Sequence, residues 1–197
     1  ARNPSWAPDG SWFVAESDAQ SFSDVVKQAP RADAEVARLT QAPEGNFEPS
    51  VSPDGTQVAF VSSRTGDPEI YVMKADGTDV RRLTSFHKED MAPKWSPDGK
   101  WLALEHSYGG TELFDVDGTK VGTVPGRGFI WSPRSDAYAS ASGYKIDIRQ
   151  REDGMLLRTL DTRLPPDGNW ITRLAWSADG RYLAAGAMTR FAVLDSA

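Results

Sequence analysis

Apolar residues in this chain come in short runs, and each run follows a tight-turn signal. The five runs are Trp12-Phe13-Val14-Ala15, Val58-Ala59-Phe60-Val61, Trp101-Leu102-Ala103-Leu104, Ala137-Tyr138-Ala139-Ser140 and Tyr182-Leu183-Ala184-Ala185. Ahead of them stand five related hexads: Ser5-Trp6-Ala7-Pro8-Asp9-Gly10, Ser50-Val51-Ser52-Pro53-Asp54-Gly55, Lys94-Trp95-Ser96-Pro97-Asp98-Gly99, Ile130-Trp131-Ser132-Pro133-Arg134-Ser135 and Ala175-Trp176-Ser177-Ala178-Asp179-Gly180. Proline sets φ for the first corner of a turn and glycine accepts the positive φ that follows. Strand, Pro-Asp-Gly and strand therefore read as a hairpin. From Pro8 through Pro53, Pro97 and Pro133 to Ala178 the spacings are 45, 44, 36 and 45 residues, so the hairpin is the first half of a repeat. The period-3.6 apolar pattern of helical repeats does not appear.

A second hairpin completes each unit. Its clearest copy is Glu69-Ile70-Tyr71-Val72-Met73, then Ala75-Asp76-Gly77-Thr78, then Val80-Arg81-Arg82-Leu83-Thr84. Related pairs occupy 112–124 and 144–158, with a degenerate one at 24–40. Four strands, a to d, in about 43 residues is the size of one β-propeller blade. The pattern Ser-Pro-Asp-Gly, an apolar strand, Glu-Ile-Tyr-Val-Met-x-Ala-Asp-Gly-Thr and Arg-Leu-Thr resembles the PD40 repeat, the WD40-like blade of TolB-type propellers. Residues 48–84 and 92–118 carry the resemblance most fully; Arg134-Ser135 departs from it. It implies an all-β propeller of four-stranded antiparallel blades, spanning about 3–40, 47–84, 91–124, 128–160 and 170–197. Such blades occur in envelope scaffolds, in lyases and as gating domains of S9-type serine peptidases.

Copies 1 to 4 each supply four strands. The fifth supplies three, the last near residues 190–195, and only three residues precede strand a of the first copy. The expectation is an incomplete fifth blade in a ring of six or more, finished by chain outside this sequence or by another subunit.

With 197 residues, 39% of them hydrophobic and 25% charged, the chain is globular. A net charge of −6 argues against a general nucleic-acid binder. The absence of cysteine excludes a disulfide framework, a thiolate nucleophile and a Cys-ligated metal. No apolar run is long enough to cross a membrane as a helix, and no charged start followed by an apolar stretch reads as a signal peptide in this sequence. The resemblance implies a periplasmic or extracellular setting. No nucleophile elbow, phosphate loop or dinucleotide fingerprint is present.

In this topology the a–b and c–d turns share one face, and the d–a and b–c connections share the other. The first face repeats Pro-Asp-Gly and Asp-Gly nearly uniformly; the second differs between copies. The candidate partner surface is therefore the second face, with Phe47, Arg64, Phe86, His87, Lys88, Glu89, Asp90, Tyr108, Arg127, Arg163 and Trp170. Mixed charge with aromatic residues suits a protein or peptide contact; a solvated loop face is the plain alternative. His87 and His106, near Glu89, Asp90 and Glu105, could form a metal or acid–base site, but no other copy contributes a histidine. The aspartates at 54, 76, 98, 117 and 179 read as turn formers rather than calcium ligands. Tryptophan recurs in strand a at 6, 95, 131 and 176, and reads as packing between blades. The sequence thus points to a non-catalytic scaffold that binds a protein partner or partner subunit without a cofactor. The alternative is the propeller domain of an enzyme whose catalytic part lies outside this sequence.

Overall fold

A computed structural model describes residues 2–18, 22–85, 90–106, 109–164, 171, 173–187 and 190–196, with 90–92 described by backbone alone. The described residues form strands joined by turns, in five antiparallel sheets. Sheet 1 is β1 (Arg2–Trp6), β2 (Phe13–Ser17), β3 (Asp24–Gln28) and β4 (Ala37–Arg38). Sheet 2 is β5 (Asn46–Val51), β6 (Gln57–Thr65), β7 (Asp67–Lys74) and β8 (Arg81–Arg82). Sheet 3 is β9 (Asp90–Trp95), β10 (Trp101–His106), β11 (Thr111–Asp115) and β12 (Lys120–Val124). Sheet 4 is β13 (Arg127–Trp131), β14 (Ala137–Ser142), β15 (Lys145–Gln150) and β16 (Leu156–Asp161). Sheet 5 has three strands, β17 (Arg173–Trp176), β18 (Tyr182–Gly186) and β19 (Phe191–Asp195). Each sheet is a sequential meander, the strand order of a propeller blade. β1 pairs with β2, so the N-terminal strand opens blade 1 rather than completing blade 5.

The turn hexads fold as their residues dictate. Gly10, Gly55, Gly99 and Gly180 have φ of 70, 72, 71 and 73°. In blade 2, Ser52 Oγ donates to Asp54 Oδ1 at 2.6 Å and accepts from the Gln57 N–H at 2.9 Å. Ser96 with Asp98 and Ser177 with Asp179 repeat this bond. Blade 4 reaches the same shape with other residues. Ser135 takes the glycine position at φ 59°, and Asp136 accepts from Ser132 Oγ at 2.7 Å in place of the missing aspartate.

The core lies between the blades. Val14 and Val25 of blade 1 pack with Val58, Phe60 and Met73 of blade 2. Ala59, Val61, Ile70 and Val72 on the opposite face of blade 2 pack with Trp95, Leu102, Leu104 and Phe114 of blade 3. Ala103 and Leu113 meet Phe129, Trp131 and Tyr138 of blade 4. Ala139, Ile146 and Ile148 meet Ile171, Leu183 and Ala185 of blade 5. Successive residues of a strand point to opposite faces. A strand buried on both faces must therefore be apolar at every position, which accounts for unbroken runs such as 58–61.

The repeated tryptophan is the key of this stack. Trp95 and Trp131 are buried, and their indole N–H groups donate to the carbonyls of Ser50 and Lys94, one blade back, at 3.0 and 3.1 Å. Trp176 is half-buried, and its Nε1 has no hydrogen-bond partner among the described residues. Trp6 departs from the packing expectation: it is 53% exposed, because no blade of the described chain lies against that face of blade 1. Replacing Trp95 by Ala should cost roughly 3–5 kcal/mol, as large core truncations do. Trp95→Phe, which keeps most of the packing but loses the indole bond, should cost less. Urea unfolding of the two variants checks both values.

Candidate functional site

A meander places alternate connections at opposite ends of its strands, so the d–a and b–c segments share one end of the stack. Gly109, Gly110, Gly126, Arg127, Ser142 and Ile171 line a cavity of about 510 Å³ there, between blades 3 and 4. Its wall is built by backbone proximity. Gly110 N donates to Gly126 O at 2.6 Å. Gly126 has φ 101°, and a Cβ on it would stand 2.2 Å from the Ala141 carbonyl oxygen. No L side chain fits that position. Arg127 is exposed, with Nε 3.5 Å from where a Gly109 Cβ would stand, so it presents the cavity's cation. Tyr108 and Trp170, each a chain neighbour of a lining residue, lie outside the described residues, as do Phe86, His87, Lys88 and Glu89. Asp90 is described by its backbone, at the start of β9 opposite His106.

The remaining candidates divide. Arg163 is exposed at φ 54°, with its N–H on Asp161 Oδ1 at 2.9 Å. Phe47 is partly buried against the core between blades 2 and 3. Arg64 is tied down. It donates to Ser62 Oγ at 2.9 Å and Asn46 Oδ1 at 3.2 Å, and its guanidinium lies 4.4 Å from the Tyr71 ring centre. Cation–π and charge-assisted contacts of this kind fix a side chain rather than offer it.

Sequence reasoning missed the polar clasps behind this face. Asp24 is buried and bonds Arg38, accepts from Thr40 Oγ1 at 3.0 Å, and accepts from Asn46 Nδ2 at 3.1 Å. Glu69 repeats the arrangement with Arg82 and Thr84, each at 2.5 Å. The Arg-Leu-Thr of strand d is thus a clamp on the acid that starts strand c. A further pair, Glu16 and Glu105, accepts backbone N–H groups from the next blade, Glu48 at 2.6 Å and Phe129 at 3.1 Å. The signal was present: the acid recurs directly after the apolar run in both copies.

Of the candidate histidine cluster, only Glu105 and His106 have described side chains. Glu105 pairs with Lys94, and His106 is half-buried with Nε2 3.6 Å from Glu112 Oε1. Lys120 Nζ reaches the same oxygen at 2.6 Å. Among the described residues, no three His, Asp or Glu side chains are grouped as metal ligands.

The turn aspartates carry a measurable signature. Hydroxyl donors Ser52, Thr78 and Ser177, followed by the backbone N–H groups of Thr56, Thr78 and Arg181, hold Asp54, Asp76 and Asp179 below the ordinary value of 3.8. At Asp98, burial works upward but is outweighed by Ser96 and Arg151.

Two family models match this chain. The one described as PD40, TolB beta propeller domain, matches residues 1–124, and the one described as WD40, WD domain, G-beta repeat, matches residues 155–192. An uncharacterized protein of Agrobacterium fabrum is 30% identical over 162 residues, covering 72% of this chain and 55% of that protein. The uncharacterized peptidase YuxL of Bacillus subtilis is 30% identical over 121 residues, 57% of this chain and 18% of that protein. The Tol-Pal system protein TolB of Alcanivorax borkumensis is 39% identical over 87 residues, 42% of this chain and 20% of that protein. The chain therefore spans about half the length of the first relative and a fifth or less of the other two.

Two outcomes follow from this geometry. Gly126→Ala should lose at least about 1–3 kcal/mol of stability, since both its φ and its clearance are violated. Differential scanning calorimetry measures this against the neutral Gly122→Ala, where a Cβ meets open space. The depressed aspartates bind fewer protons folded than unfolded. Their contribution is therefore complete above 3.8 and is lost as pH falls through the lower folded values. The urea midpoint should fall on acidification below about pH 4, and less steeply in Ser52→Ala/Ser177→Ala.

Proposed function

The chain belongs to the TolB β-propeller family, and on that premise we propose that it is a non-catalytic scaffold whose loop face binds a protein partner in the bacterial envelope. The observation that carries this reading is a division of labour among polar groups. Asp24, Glu69, Glu16 and Arg64 are committed to bonds inside the propeller. Arg127 and Arg163 instead stand exposed on the varied face, Arg127 beside a cavity with a glycine-built wall. Exposed arginines with neighbouring aromatic positions are the composition of protein-binding hot spots. The identity to TolB proteins supports the envelope setting. The acidic chain, at −6, adds a bias toward basic partner surfaces.

A second reading is the propeller domain of a peptidase, favoured by the 30% identity to YuxL over 121 residues. In that case the loop face or the channel would front a hydrolase domain rather than a separate protein.

Site-specific photo-crosslinking separates the two. A photoreactive residue at position 127 or 163 should give a discrete adduct with a separate envelope protein. The same residue at 117, in a c–d turn of the uniform face, should give none. Equal adducts from both faces, or adducts only to a hydrolase domain, would overturn the scaffold reading.

A further inference from the structure

Strand d forms the outer rim of a blade, and two neighbouring rims are built differently. In blade 2, Val72 of strand c pairs with Arg81 of strand d, and the Arg81 guanidinium crosses to blade 3 and donates to the Val116 carbonyl. In blade 3 the same position, opposite Leu113, is Gly122. A Cβ there would meet nothing within 4 Å, so Gly122 leaves the rim open toward blade 4. A cleft of about 410 Å³ lies in the gap, with Trp101, Leu113, Tyr138, Arg149 and Arg151 in its lining. Blades 3 and 4 each pack against a further blade of this chain on their other side, so the cleft is not an end face of the stack.

The blade 4 wall of the cleft breaks the repeat as well. One pair between strands b and c is apolar in blades 2, 3 and 5: Val58 with Met73, Leu102 with Phe114 and Leu183 with Leu194. Blade 4 has Tyr138 with Arg149 there. Arg149 donates to Asp147 Oδ2 and to the Gly154 carbonyl, each at 3.1 Å. Arg151, two residues on, pairs with Asp98. Each guanidinium thus has its counter-charge, yet the Nε of each is buried without a hydrogen-bond partner among the described residues. A buried N–H left unpaired is costly, and an acceptor that enters the cleft relieves that cost. Tyr138 Oη lies 3.4 Å from where a Gly154 Cβ would stand, and burial holds this phenol above its ordinary value of 10.0, so it stays neutral.

The charges select the ligand. The two arginines are matched by Asp147 and Asp98, and Glu152 and Asp153 add two carboxylates to the lining, which disfavours an anion. A cation would bring donors to a place where two N–H donors already lack acceptors. A neutral group rich in hydroxyls accepts from the arginines and donates to the carboxylates. Trp101 and Leu113 supply the apolar surface that the C–H face of a pyranose ring covers. We infer that the cleft between the rims of blades 3 and 4 is a binding site for neutral carbohydrate, with one sugar ring seated among Trp101, Arg149, Arg151 and the carboxylates of Glu152 and Asp153. The site uses neither Arg127 nor Arg163, and it stands or falls apart from the scaffold reading.

A glycan array of neutral and acidic oligosaccharides tests it, with the chain held bivalently by a tag antibody so that weak contacts are retained. The unmodified chain should retain neutral glycans in preference to those bearing uronate or sialate. Gly122→Leu fills the cleft from the blade 3 side, and Arg149→Met installs the residue that blade 2 has at this position. Circular dichroism verifies that each variant is folded, and each should lose at least about tenfold in retained signal. Isothermal titration with the free form of the best-retained glycan should give one site per chain. Retention of no glycan overturns the proposal, even where the same protein retains peptides. So does a preference for acidic glycans, or a folded variant that retains neutral glycans as the unmodified chain does.

Discussion

A four-stranded sheet with apolar residues on both faces cannot stand alone in water, and this constraint organises the molecule. Every hydrophobic cluster of the described structure straddles two adjacent blades, so stability resides in the interfaces between sheets. Energetics of this kind are close to one-dimensional, a sum over neighbouring pairs. The strand-a tryptophan is suited to such an interface because it combines a large apolar area with one directional bond. At Trp95 and Trp131 that bond reaches the main chain of the previous blade, so the fit tolerates a change of side chain on the acceptor, Ser50 in one case and Lys94 in the other.

Polar groups fix what apolar packing leaves free. A sheet slipped by one residue would exchange its two faces, and here both faces are apolar, so hydrophobicity alone specifies register weakly. The buried acids supply the missing constraint. Asp24 with Thr40 and Arg38, and Glu69 with Thr84 and Arg82, tie the start of strand c to the end of strand d. A buried carboxylate without those partners would be strongly unfavourable. Glu16 and Glu105 then tie each blade to the strand-a backbone of the next, at bulges where Glu48 and Gly128 have positive φ.

Much of this was legible in the sequence, for a physical reason: the repeat states the same local rule several times. Pro-Asp-Gly spacing located strands a and b, and Asp-Gly located the c–d turns. The outer strands were less legible, because β4 and β8 are regular over only two residues each and hold by side-chain bonds rather than by a long ladder. Blade 4 illustrates how a motif can fail while its shape survives: Ser135 and Asp136 rebuild the turn that Arg134 would have broken. The site was legible only as a face. That Arg64 would be immobilised on Tyr71 and Asn46, while Arg127 stands exposed beside a cavity, depends on contacts between segments distant in sequence. Trp6 carried the same repeat signature as Trp131; its exposure reflects what lies beside the blade, which no local motif encodes.

The molecule therefore carries two kinds of surface with different origins. The blade faces are written by the repeat itself, because each blade must be able to receive the next. The loop face is written by departures from the repeat, such as the 36-residue spacing that brings Pro125, Gly126 and Arg127 close behind strand d of blade 3. Shortening that connection draws Gly126 against the Ala141 carbonyl and opens the cavity beside it. Specificity for a partner is expected where the rule is broken, and affinity for another blade where it is kept. A substitution in the Pro-Asp-Gly turns or strand-a tryptophans acts on the second property, and one in the connections at 106–110, 125–128 or 161–169 acts on the first.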